Sequence, residues 1–172
     1  MTSMARSFQT CVFSHGKESG PWGAKIVALA AVARSLGVAV ESVDYQGIDD
    51  PQGRVEKLLG VGAQLPGPLV LIGSSMGGHV SAAAASRLPV RGLFLLAPAF
   101  YMPGFEAYTP RDVPCPAALV HGWNDDVVPV ENSIRWAREQ HAALTVLESD
   151  HRLQDRIDDI AALFRRFLEA LG

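Results

Sequence analysis

The chain has 172 residues, 48% of them hydrophobic and 19% charged, which suits a compact globular protein and leaves no room for a disordered or low-complexity class. That length supports one domain over residues 1–172 with a core that needs neither disulfides nor a metal. A formal charge of −3 carries no electrostatic footprint for nucleic acid.

The opening "MTSMARSFQT" holds one arginine and no apolar core of signal-peptide length, so a cytoplasmic location is expected. No stretch reaches the roughly 18 unbroken apolar residues of a membrane span, so no membrane partner is expected. Cys11 lies in an apolar run and Cys115 between prolines, without ligand or disulfide spacing, so both read as buried thiols.

In chain order, short apolar runs predict strands at Thr10–Ser14, Val38–Asp44, Leu69–Ser74, Leu93–Ala97, Ala117–His121 and Leu144–Glu148. Helical patterns fill the intervals at about Gly23–Leu36, Gln52–Leu59, Gly77–Arg87, Val130–His141 and Arg156–Leu171. The last is the clearest, with Ile157, Ile160, Phe164, Phe167, Leu168 and Leu171 recurring at three and four residues. This alternation predicts a mainly parallel sheet of about six strands covered by helices on both faces, a three-layer α/β/α sandwich. Between the fourth and fifth strands, Pro98–Pro116 contains five prolines and reads as a loop carrying several aromatics.

In such a sheet, functional groups gather at the carboxyl ends of the strands. At the third of these, "GSSMG" fits the pattern G-x-S-x-G only with Ser75 at its centre and Ser74 as the variable residue. Glycines on either side are what a strained turn with positive φ requires, and the following helix directs its N–H groups and positive dipole end at an anion on Ser75. A serine nucleophile needs a base, and the base needs an orienting acid.

Of the five histidines, His151 follows the sixth strand at a carboxyl end and is the expected base. His15 and His121 precede glycines at strand ends and read as turn-stabilising residues, while His79 and His141 sit on helices, badly placed for Ser75. The acid is Asp125 or Asp126, just after the fifth strand. Asp150, adjacent to the histidine, reads as a loop or cap carboxylate.

Gly73–Gly77, then "GWNDDVVP" at Gly122–Pro129, then Asp150-His151, resemble the nucleophile, acid and base elements of the α/β-hydrolase superfamily, in the chain order of that family. The resemblance implies Ser75, Asp125 and His151 as the catalytic triad, with Asp126 a solvated neighbour. It implies an oxyanion hole made by the N–H of Met76 and a second donor from the loop after the first strand, with Lys17 named and Glu18 the neighbour of uncertain role.

The implied activity is hydrolysis of small carboxylic esters through an acyl-enzyme, with thioesters or short amides as alternative substrates and a non-catalytic interaction protein as the rival. It calls for a small-molecule ester partner and no cofactor or metal. The chain is short for the superfamily and has only Pro98–Pro116 where larger members insert a lid. An acyl pocket would be shallow or lined by Phe100, Tyr101, Met102, Phe105 and Tyr108. The absence of the first antiparallel strands of the superfamily leaves the oligomeric state open, a homo-oligomer included.

Overall fold

A computed structural model describes residues 5–172. Six strands, β1 (Thr10–Ser14), β2 (Ala39–Val43), β3 (Leu69–Ser74), β4 (Val90–Leu96), β5 (Ala117–Gly122) and β6 (Ala143–Leu147), form one sheet in the order β2-β1-β3-β4-β5-β6. All five pairings are parallel. The connecting helices are α1 (Ala24–Ser35), α2 (Pro51–Gly62), α3 (Met76–Ala84), α4 (Val130–Gln140) and α5 (Ile157–Leu171).

The pleat divides the core in two. On β1, β3 and β4 the side chains of Cys11, Phe13, Val70, Ile72, Phe94 and Leu96 face α1 and α5, where they meet Ile26, Leu29, Ile160, Phe164 and Leu168. The alternate residues Val12, Leu69, Leu71, Leu93 and Leu95 face the other layer, with Val55, Leu58, Val80 and Trp136. Both faces of the central strands are therefore dry, as a parallel sheet in the middle layer requires. Burial of Ile160, Phe164, Leu168 and Leu171 along one stripe explains why α5 forms as its periodicity predicts.

The limits of α2, α3 and β4 differ most from the sequence reading. Helix α2 runs on to Gly62, because its buried stripe of Arg54, Val55 and Leu58 outweighs the helix-weakening Gly60. It starts at Pro51, where Asp50 accepts from the N–H groups of Gln52 and Gly53. Helix α3 begins at Met76 directly behind Ser75 and ends at Ala84, and β4 starts three residues before the predicted Leu93. The proline-rich loop holds one short 3₁₀ turn at Glu106–Tyr108.

Cys11 is fully buried, and burial pushes its thiol up to about 12, whereas Cys115 is only half-buried, its thiol raised to about 11 for the same reason. No helix among the described residues is long and apolar enough to cross a membrane.

The topology bears directly on function. From β1 the chain crosses to β2 on one side, then returns to place β3 on the other side of β1. At such a switch point the loops after the two central strands diverge and leave a crevice at the carboxyl edge. The loop after β1 and the turn after β3 face each other there.

Candidate active site

Ser75 occupies the turn between β3 and α3 with φ 55° and ψ −118°, a conformation that costs a non-glycine residue of order 1–3 kcal/mol. Four hydrogen bonds hold it there: its N–H donates to the Leu96 carbonyl at 2.9 Å, and its carbonyl accepts from Gly78 and Ala99, each at 2.9 Å, and from His79 at 3.3 Å. The flanking glycines are required by close approach. A Cβ on Gly73 would lie 2.1 Å from the Gly77 carbonyl oxygen, and one on Gly77 would lie 2.0 Å from that of Ser14. Ser74 points to the flank, where Lys25 Nζ donates to its hydroxyl at 3.1 Å.

His151 brings the other two residues together. Its Nε2 stands 3.1 Å from Ser75 Oγ and its Nδ1 2.7 Å from Asp125 Oδ2. In the neutral ring the proton sits on Nδ1, because the Asp125 carboxylate can only accept, and Nε2 is left to accept from the serine hydroxyl. The Asp125 side chain is fully buried and that of His151 is 19% exposed, so the imidazole lies at the mouth of the site and the carboxylate beneath it.

Asp125 is fixed by four contacts. Oδ1 accepts from the N–H groups of Val127 and Val128 at 2.9 and 2.8 Å, and Oδ2 receives His151 and lies 3.0 Å from His121 Nε2. Asp126 is exposed. Asp150 is exposed too, and its Oδ1 accepts from the N–H groups of Arg152 and Leu153, a turn-forming role that shapes the loop around His151. The loops after β5 and β6 are stitched together by Trp123 N–H to the Leu147 carbonyl and Asn124 N–H to that of Ser149.

Two residues enter that the sequence reading did not use. His121 is wholly buried, its Nδ1 2.7 Å from Ser133 Oγ and its Nε2 2.9 Å from the Val128 carbonyl. With the hydroxyl donating to Nδ1, the ring is neutral and its Nε2–H is shared between that carbonyl and Asp125; burial lowers its pKa below 6.5 and favours this form. The i,i+4 spacing of His121 and Asp125 across a strand end was the available signal. Lys25 lies on α1 against Ser74, and burial lowers its pKa to about 8, partly opposed by the charges of Asp150 and Asp125. Nothing in the helical pattern of α1 marks it.

At the head of α3 the N–H groups of Met76 and Gly77 precede the first helical bonds, which run from Gly78 and His79 to the Ser75 carbonyl. Across the crevice lies the loop His15–Glu18. The side chains of Lys17 and Glu18 are exposed, and Gly16 is packed so that a Cβ on it would touch Ser75 Cβ at 3.5 Å. The His15 ring is buried: Nε2 accepts from the Tyr45 N–H at 2.8 Å and Nδ1 donates to the Gly16 carbonyl at 2.7 Å. His79 is half-buried on α3, and His141 ends α4 in a left-handed conformation at φ 54°.

The aromatics of the proline-rich loop divide into two sets. Phe100 stacks on Trp136 with ring centroids 4.6 Å apart, and Tyr101 donates to Glu139 while Arg135 lies over its ring at 3.9 Å. Both are packing against α4. Phe105 and Tyr108 are exposed, and Met102 is half-buried.

A family model described as serine hydrolase matches residues 30–155, well over half of the chain. The bovine palmitoyl-protein thioesterase ABHD10, mitochondrial, is 26% identical over 86% of this chain and 68% of its own length. A solved hydrolase of the alpha/beta superfamily from Xanthomonas campestris pv. campestris is 32% identical, with a TM-score of 0.87, covering 94% of this chain and 99% of that one. An α/β serine hydrolase without a lid from Xanthomonas campestris has the same fold, with a TM-score of 0.79 at 19% identity over 99% of this chain and 85% of that one.

Proposed function

The chain belongs to the serine hydrolase family, and we propose that it cleaves small carboxylic esters through a Ser75–His151–Asp125 triad and an acyl-enzyme intermediate. The observation that carries this reading is the unbroken chain from Asp125 Oδ2 through the His151 ring to Ser75 Oγ, at 2.7 and 3.1 Å.

In the acylation half, Ser75 Oγ attacks the substrate carbonyl carbon as its proton passes to His151 Nε2. The charge that forms on the carbonyl oxygen is met by the Met76 N–H and by an N–H of the loop after β1, that of Lys17. Asp125 stabilises the imidazolium and fixes the ring. Collapse of the tetrahedral species breaks the bond to the alkoxide, which leaves with the proton from Nε2. In the second half a water gives its proton to Nε2, its oxygen attacks the acyl carbon, and the carboxylic acid departs as Ser75 recovers its proton.

Thioesters are the second class of substrate, favoured by the thioesterase named among the relatives. The same steps apply with a thiolate as leaving group. With Phe100 and Tyr101 engaged by α4, short acyl groups are expected to react faster than long ones.

The test is a fluorophosphonate probe with mapping of the modified residue. Labelling should fall on Ser75, disappear in Ser75→Ala and survive in Ser74→Ala; a labelled Ser75→Ala protein overturns the assignment. Rates with acetyl to palmitoyl p-nitrophenyl esters and the matching thioesters then rank the substrates, and a steady climb toward palmitoyl contradicts the short-chain expectation.

A further inference from the structure

Arg54 is 1% exposed, at the second turn of α2, and among the described residues no carboxylate forms a salt bridge with it. A buried guanidinium is costly unless its donors are satisfied. Here they go to main-chain carbonyls: Nε donates to Ile48 at 2.7 Å, and Nη1 to His15 at 3.2 Å and Gly16 at 3.3 Å. The guanidinium also lies 5.3 Å from the centre of the Tyr45 ring, whose hydroxyl is 2.8 Å from Ser14 Oγ. Arg54 thus ties the start of α2 to the end of β1 and the loop behind it.

The peptide it grips is the one that matters. The Gly16 carbonyl receives Arg54 Nη1 at 3.3 Å, His15 Nδ1 at 2.7 Å and Ser19 Oγ at 3.4 Å, so three donors fix its direction. The Gly16–Lys17 peptide is trans, and in a trans peptide the N–H points opposite to the C=O. The peptide adjoins Ser75, since a Cβ on Gly16 would touch that of Ser75 at 3.5 Å. We propose that Arg54 is a positioning residue for the hydrolysis: by holding the His15 and Gly16 carbonyls it turns the Lys17 N–H toward the oxyanion that forms on a substrate bound to Ser75. This inference rests on the serine hydrolase reading above and adds to it the residue that sets the second donor.

A donor aimed at the transition state changes kcat and the affinity of tetrahedral adducts together, while a residue that only supports the fold changes neither in molecules that remain folded. The test compares wild type with Arg54→Met and Arg54→Lys, using p-nitrophenyl acetate for kcat and KM, an aryl trifluoromethyl ketone as adduct former, and thermal melting.

Arg54→Met should lose roughly 10- to 100-fold in kcat, with KM within about twofold and ketone affinity falling in proportion to kcat. Arg54→Lys, which keeps a cation on the stem but cannot span both carbonyls, should lie between the two. If the methionine variant fails to fold, the lysine variant carries the comparison on the same two readouts. Unchanged kcat and ketone affinity in a folded variant overturn the proposal, and so does a fall in kcat that leaves ketone affinity untouched. A wild-type protein that neither hydrolyses the ester nor binds the ketone at Ser75 overturns the hydrolase reading, a result distinguishable from failure at Arg54.

Discussion

The two halves of the site are built from different materials. On the nucleophile side, Ser75 is held by main chain against main chain: four backbone hydrogen bonds, and glycines at positions where a Cβ would come within 2.1 Å of a carbonyl oxygen. On the acid–base side, main-chain bonds join the loops after β5 and β6 and side chains complete their shape, with Asp125 binding two N–H groups, Asp150 binding two more and His121 braced on Ser133. The first construction has no slack in volume, so damage to it should appear as lost folding. The second has polar groups with definite charges, and damage there should appear as lost chemistry in a folded protein.

The largest effect is expected on the acid–base side. Asp125→Asn keeps the size but removes the charge that orients His151, and kcat should fall on the order of 10³- to 10⁴-fold with the fold intact. Asp126→Asn, on the exposed neighbour, should cost less than about tenfold. Esterase rates with circular dichroism check both, and a larger loss at Asp126 would exchange their roles. Next, Gly77→Ala on the nucleophile side should destabilise by about 3 kcal/mol or more, because its Cβ has only main chain to displace. A urea midpoint equal to wild type would break the comparison.

A smaller effect tests the bracing of Asp125. His121→Leu removes the Nε2–H that lies 3.0 Å from Asp125, and kcat should fall about tenfold while the protein stays folded. Retention of the full rate would assign His121 to packing alone. The mildest effect is on stability against pH. His15, His79 and His121 all have their pKa values lowered from 6.5 by burial, so the unfolded chain binds protons there that the folded chain refuses. Their contribution is complete above pH 6.5 and is lost as pH falls from 6.5 toward the lowered folded values. The slope is at most about 1.4 kcal/mol per pH unit for each histidine. Urea midpoints at successive pH values just below 6.5 should show the decline, and His121→Leu should flatten it.

Most of the sheet and the place of Ser75 in a strained turn were readable before any fold was known. The strands Thr10–Ser14 and Leu69–Ser74 coincide with the predicted limits because apolar runs between turn residues have little other use in a chain of this kind. Ser75 rather than Ser74 follows from spacing, since only one register places a glycine two residues away on both sides. His151 and the pair Asp125 and Asp126 were legible as strand-end residues, with the resemblance choosing between the aspartates. The brace at His121 was visible only as a histidine before a glycine and four residues ahead of Asp125, a pattern equally suited to an ordinary turn.

What the sequence by itself determined is therefore local: the strained turn at Ser75, the helix behind it and the strand ends where an acid and a base would emerge. These depend on neighbours in the chain, whose steric and polar demands act over a few residues. The tertiary structure decided which distant groups hold those parts in place. Arg54 reaches the Gly16 carbonyl across 38 positions, and Lys25 reaches Ser74 across 49. Such pairs arise only because α1 and α2 are delivered to the carboxyl edge beside β1 and β3, and the same side chains on another topology would meet water instead.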